Sequence, residues 1–445
     1  MSRTLSPVTT PNGTATQDRS AAQIAQAGIA GALIGAAGGA ALGATFGGTG
    51  TAIGGIAGAV VIGGGEAVTD ARRQPGAPKP LAQRIASGAA LAAAAGWFVG
   101  LLAPNAALAV VGVLFGALYG AIGFRNTKVA LGALTGLVVG VALTAAWPDA
   151  DAAWVAAITL VVYRIVSAFV YRGREQVTIV GEHVPVADME FVVPFATHSR
   201  YVGVDYLKEY ADLTGAAFVR QPADVGIVAD FDQLTGPHFD AAAAHPLIRE
   251  FYEHTSRFHL SITPEWRVWM KPAYLVYRSL IARPLGQANA PFDVEEVQRG
   301  VVSWIDVIDL DHSGEIDFRA WVRAYQETME PLYVGVYTVL RSDGVGYVSV
   351  GFPLPDGNFT ATLLPHANRG DGLLLKSISD LPYPGHYLSA VEGTDLTTLR
   401  LASFNEEIDV YVAGGKLKTD HRFYLGGVRF LTLHYTIERT DGTPA

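Results

Sequence analysis

The sequence contains no cysteine and few charges. Without cysteine there are no disulfides, thiolate metal sites or thiol nucleophiles. Only 16% of the 445 residues are charged, against roughly 25% in soluble domains. Half of the residues are hydrophobic, and the mean hydropathy is +0.27. An ordinary soluble enzyme and a disordered chain are both excluded. A membrane protein, or a chain part membrane and part soluble, fits. The length allows roughly two to four domains. Also missing are HExxH, GxSxG, a nucleotide fingerprint and a phosphate loop. The eleven histidines form no ligand pair at helical spacing. The chain therefore leans away from an enzyme.

The few charges are unevenly placed. Met1 to Glu175 holds 11 Lys+Arg against 6 Asp+Glu, a balance of +5, which leaves −14 of the total −9 for the remainder. A domain of that sign repels phosphates, so nucleic acid is not an expected partner. No charge falls between Ser20 and Gly65, between Ile85 and Phe124, or between Val129 and Pro148, and Arg164 alone interrupts Ala152 to Tyr171. A bilayer span takes about 20 apolar residues. The first two runs are about twice that and break at Gly47–Gly50 and Pro104-Asn105. Pro148 to Asp151 separates the other two. Six segments in three hairpins follow. A first hairpin that only dips into the membrane is the alternative.

Loop charges orient the segments. Arg3 and Arg19, then Arg72, Arg73, Lys79 and Arg84, then Arg125 and Lys128, then Arg172 and Arg174 occupy alternate loops. The intervening loops carry no Lys or Arg. The positive-inside rule then places both termini in the cytoplasm of a multi-pass cell-membrane protein. The missing cysteines agree with a reducing compartment. Arg164 lies close enough to the cytoplasmic end to snorkel. Residues 1–19 are expected to form a disordered tail, and no signal peptide is expected there.

Gly31, Gly35, Gly39, Gly43 and Gly47 recur every four residues, so they share one helix face. The stretch from Ala21 to Gly65 resembles the glycine-zipper transmembrane hairpins of bacterial envelope proteins. That resemblance implies self-association through the glycine face. Packing against the helix's own hairpin partner is the other use of the same face.

From Gln176 the composition is that of a soluble domain. Gln176 to Val180 and Phe191 to Phe195 are expected strands. Helical spacing is expected between His245 and Met329, with Val294 to Ile308 and Phe318 to Met329 as two amphipathic helices. After Pro331 come strands at Val334–Leu340, Gly346–Phe352, Phe359–Leu364, Leu396–Phe404, Ile408–Ala413 and Arg429–Glu438. Hairpin signals at Asp343-Gly344, Asp356-Gly357 and Gly414-Gly415 separate them. The expected fold is an α-helical membrane domain (20–174) plus a soluble α+β domain. The latter has a helical middle (175–330) and an antiparallel sheet, sandwich or small barrel at 331–445.

The sharpest local motif is Asp309-Leu310-Asp311-His312-Ser313-Gly314-Glu315-Ile316-Asp317. It resembles the EF-hand calcium loop over about 35 residues, its expected flanking helices included. The resemblance implies Ca²⁺ ligands at Asp309, Asp311 and Ser313, the Glu315 carbonyl, and Asp317 through water. It also implies a glutamate at the twelfth position, where this chain has Ala320. Two oxygens and one charge are lost, so binding is expected to be weak. Weak binding, binding only at high calcium, and a metal-free relic all stay open. The leading expectation is a calcium-sensing or interaction domain in the cytoplasm. The alternative is a membrane-anchored β domain that encloses a lipid or other apolar ligand, with the loop purely structural.

Overall fold

The computed structural model describes residues 21–72, 79–122, 125–172, 181–185, 188–189, 191–193, 195–197, 201–355, 357–392 and 395–440 (of 22, 23 and 392 the backbone alone). The expected tail at 1–19 and the expected strand at 176–180 lie outside the described residues. The chain divides into two compact units.

The helical unit comprises the described residues between 21 and 172 together with Leu275–Leu280. Its helices are α1 (Ala21–Gly43), α2 (Gly47–Arg72), α3 (Leu81–Leu102), α4 (Leu108–Ala121), α5 (Asn126–Ala146) and α6 (Ala152–Val170). They coincide with the six expected segments. Ile24–Arg72, Leu81–Leu102, Asn126–Ala146 and Ala152–Val170 are long and apolar enough to cross a bilayer, and Leu108–Ala121 is a shorter apolar helix. The polypeptide turns at Gly47, whose φ is +79°. It turns again where Asp151 caps α6 by accepting from the Ala153 and Trp154 amides. Of the three expected hairpins only the first pairs as expected: α1 packs on α2, whereas α4 pairs with α5 and α3 with α6.

Glycine explains two of these pairings. A Cβ on Gly35, Gly39 or Gly43 would lie 2.0, 2.0 and 2.1 Å from the carbonyl oxygens of Gly58, Gly54 and Gly50 on α2. The glycine face is therefore filled by the helix's own hairpin partner. Gly47 opens α2 and faces open space, so it is not a member of that face. A second glycine seam joins α4 and α5. There a Cβ on Gly112 or Gly116 would lie 2.0 and 1.9 Å from the oxygens of Gly136 and Gly132. Backbones this close gain dispersion contacts and lose little side-chain entropy. Arg164 is exposed, as a snorkelling side chain requires.

The other unit is built on one 14-stranded antiparallel sheet. Its strands are β1 (Glu182–Pro185), β2 (Ala217–Arg220), β3 (Phe258–Trp266), β4 (Val301–Asp309), β5 (Phe318–Tyr325), β6 (Pro331–Ser342) and β7 (Val345–Leu354). Then follow β8 (Gly357–Asn368), β9 (Gly372–Lys376), β10 (Gly385–Glu392), β11 (Asp395–Arg400), β12 (Phe404–Ala413), β13 (Lys416–Leu425) and β14 (Val428–Arg439). The main order is β2-β4-β5-β6-β7-β8-β9-β12-β13-β14-β3, with β10, β11 and β1 as a side branch from β8. The strip curls until β3 lies beside β4. Its inner face surrounds a core that includes Ile305, Trp321, Val350, Leu363, Leu375, Val410, Leu417 and Ile437. A helix, α8 (Pro246–Glu253), adds Leu247, Ile248, Phe251 and Tyr252 to that core. A second core on the outer face packs α7 (Tyr206–Thr214) over Ile308, Ala320, Val322 and Val336.

Three expectations are corrected here. Only Val294–Gln298 of the first expected amphipathic helix is helical, and β4 takes up the rest. The second, Phe318 to Met329, begins as β5. Phe191 to Val193 belongs to no strand. Short helices do occupy much of 206–298, interrupted by β2 and β3, so the helical middle ends before β4 and does not surround the calcium-like loop.

Candidate functional site

The Asp309–Asp317 segment is the turn of the β4–β5 hairpin. Asp309 closes β4 opposite Ala217 on β2. Both of its oxygens accept backbone amides, from Ser313 at 3.1 Å and Gly314 at 2.7 Å. Asp311 also accepts from the Ser313 amide, at 3.1 Å. Asp317 accepts from the Leu310 amide at 2.6 Å. Gly314 sits at φ +89° and His312 at +60°, so the chain doubles back and brings the acids together. One carboxylate oxygen each from Asp309, Asp311 and Asp317 lies within 4.8 Å of the others. Hydrogen bonds from the Ser313 hydroxyl and amide hold the Asp311 carboxyl below its usual range. The Ser313 hydroxyl also accepts from the Glu315 amide at 3.2 Å.

The EF-hand frame itself is absent, because strands flank the loop. Ala320, the twelfth position of the motif, pairs with Asp306 inside the β4–β5 ladder and is fully buried. No side chain at that position could fold back over the loop. Ile316 packs against the inner core.

A second cluster lies inside the curled sheet and carries residues that the motif search missed. Side chains alternate along a strand, so Trp321 fixes Arg319, Arg323 and Tyr325 on the inner face of β5. The ladder sets Tyr333 opposite Arg323 and Tyr337 opposite Arg319 on β6. Arg323 is 1% exposed. Its guanidinium stands over the Tyr435 ring, 5.3 Å from the centroid. Nε and Nη2 make no hydrogen bond. Among the described residues no carboxylate lies within ion-pair distance of it. The Tyr333 and Tyr435 hydroxyls hydrogen-bond to the guanidinium, but a buried ion without a counter-charge costs several kcal/mol. Burial pushes the hydroxyls of Tyr333, Tyr337 and Tyr435 up, so they stay protonated donors.

Glu406 is also inside, on β12. His386 lies 3.2 Å from one of its oxygens and His421 lies 2.6 Å from the other. Burial favours the protonated acid. The hydrogen bonds and charge of the two imidazoles outweigh it and hold Glu406 well below the usual carboxylate range. Both oxygens are thus engaged.

The inner face changes character along its length. Val348, Leu363, Leu373 and Val410 are fully buried near α8. Toward the opposite end stand Phe352, Phe359, Phe404 and Phe423, all only half-buried. Phe352–Phe359 centroids are 6.0 Å apart, Phe359–Phe404 5.9 Å and Phe404–Phe423 6.3 Å. These four rings form a continuous aromatic row on the inner face, and Phe352 joins it to Tyr333, 6.2 Å away between centroids, beside Arg323.

The sequence contained a signal for this cluster. A period of two through Arg319, Trp321, Arg323 and Tyr325 puts both arginines beside a tryptophan. A helical period sends them to solvent.

A membrane protein with a helical unit and a large antiparallel β unit is what the fold defines. Over 215 residues the chain is 29% identical to the uncharacterized membrane protein YndJ of Bacillus subtilis (strain 168). The match spans 48% of this chain and 38% of that protein, so the chain corresponds to well under two thirds of its relative's length. No family model matches, and no solved structure matches.

Proposed function

We propose that the β unit is a ligand-holding vessel tethered to a cell membrane on its cytoplasmic side. One observation carries the reading: part of the inner face is fully buried in one core with α8, while Phe352, Phe359, Phe404 and Phe423 on the same face are only half-buried. A fold that only had to be stable would bury those phenylalanines, since each buried aromatic contributes about 2–3 kcal/mol. The loop charges supply the orientation.

The test uses the full chain in nanodiscs and the apolar fluorophore N-phenyl-1-naphthylamine. Saturable one-to-one enhancement above empty nanodiscs is expected, and Phe404→Arg should abolish it. Enhancement no greater than that of empty nanodiscs overturns the reading.

A second reading attaches to the hairpin loop, favoured by the convergence of Asp309, Asp311 and Asp317. Weak Ca²⁺ binding there would lock the turn. Hard oxygen ligands suit that ion, although the existing hydrogen bonds already hold the loop closed. Millimolar Ca²⁺ is expected to raise the melting temperature of the full chain and to leave Asp309→Asn unmoved. An unchanged melting temperature and no heat of binding would refute it.

A further inference from the structure

We infer that the ligand of the vessel is an amphipathic oxyanion whose head rests on Arg323 and whose tail runs out along Phe352, Phe359, Phe404 and Phe423. The inference rests on the vessel reading and adds the chemical class of its occupant.

Arg323 is the reason. An arginine side chain cannot escape burial by losing its proton. A buried guanidinium therefore needs an anion, and the described residues offer none within reach. Glu406 is the acid of the same interior, and His386 and His421 occupy both of its oxygens. The Tyr435 ring offers a π face, not a charge. Nε and Nη2 carry protons with no acceptor. Side by side, they are the edge that meets a carboxylate or phosphate in fork geometry. The protonated hydroxyl of Tyr333, opposite Arg323 and hydrogen-bonded to it, can donate to a remaining oxygen, and Tyr337 hydrogen-bonds to Tyr333 from the Arg319 side. Arg319 shares the same strand face and is likewise desolvated, which lowers its pKa and makes negative charge more welcome. From Tyr333 the half-buried rings of Phe352, Phe359, Phe404 and Phe423 continue along the same face. Such a face matches a molecule charged at one end and apolar along its length. A neutral oil would leave the guanidinium unsatisfied, and a free inorganic anion would leave the aromatic row in water.

Titration calorimetry on the full chain in nanodiscs, with heats from empty nanodiscs subtracted, tests this with octanoate, octyl phosphate and octanol. At least one of the two anions should bind about tenfold or more tighter than octanol, as a charge-assisted pair requires. The better of the two identifies the head as carboxylate or phosphate. Arg323→Met should erase the preference and leave octanol unchanged, and Arg323→Lys should keep part of it. Octanol binding as tightly as both anions overturns the inference and spares the vessel. So does a preference that survives Arg323→Met. If none of the three binds, the vessel reading itself fails. Should Arg323→Met not fold, the comparison of the three probes on the unaltered chain still decides.

Discussion

At the scale of single residues, the second half places charge where water is scarce, and Asp306 shows the cost. It is fully buried on β4. Burial pushes its carboxyl up to about 6 from 3.8, against the pull of Arg220. Arg220 Nε is 3.6 Å from it, an ion pair without a hydrogen bond. Because the folded value is raised, the protonated acid fits the fold better than the carboxylate. The associated stability is complete below pH 4 and is lost as pH rises through 6. Asp306→Asn keeps an acceptor for the Gln221 amide and cannot ionise. It should stabilise the fold at pH 7.5 by on the order of 2–3 kcal/mol. At pH 4.5 its melting temperature should approach that of the parent. A lower melting temperature at pH 7.5 would show that the Arg220 attraction outweighs desolvation.

At the scale of elements, glycine and strand placement account for what was legible. The four-residue glycine spacing marks a helix face, and that face meets α2. The α4–α5 seam escaped notice because its glycines are spread over two helices, three on one and three on the other. Gly39→Val should cost on the order of 1–3 kcal/mol, since the new side chain meets the rigid Gly54 carbonyl. The check is thermal unfolding beside Gly64→Val, which enters open space and should change little. Equal melting of the two variants would mean that the α1–α2 contact is not close.

The misplaced helices around the calcium-like loop have a physical cause. Val301, Trp304, Ile305 and Ile308 satisfy a helical period. From Trp304 to Asp309, however, every residue of β4 is buried, because cores lie on both faces of the sheet. A strand covered on both sides shows no alternation, and periodicity cannot separate it from a helix. The later strands were legible from their turns and composition: Asp343-Gly344 and Gly414-Gly415 bracket β-branched and aromatic runs, even where nearly every position is buried, as on β7.

At the scale of the whole molecule, the division into an apolar half and an acidic half was plain from charge alone. Long uncharged runs have one physical use, and loop arginines mark their ends. The interior of the β unit was not legible. Arg323, Glu406, His386 and His421 come from four strands, and only the register of the sheet brings them together. The Asp-rich loop was found because its residues are contiguous. Its neighbours in space were misjudged for the same reason, since contiguity says nothing of the frame around it.

The pairing of α3 with α6, two helices further along the chain than its neighbour α4, has a consequence for biogenesis. A ribosome delivers α3 well before α6. In that interval Gly96, whose missing Cβ makes room for the Ala152 carbonyl, has lipid or an insertion factor beside it. The pair α4–α5 can close as soon as α5 is made. The α3–α6 pair closes last, when α6 inserts between α3 and the α4–α5 pair. Helix α6 thus joins α3 to the α4–α5 pair, and a chain halted before α6 leaves the two without that link.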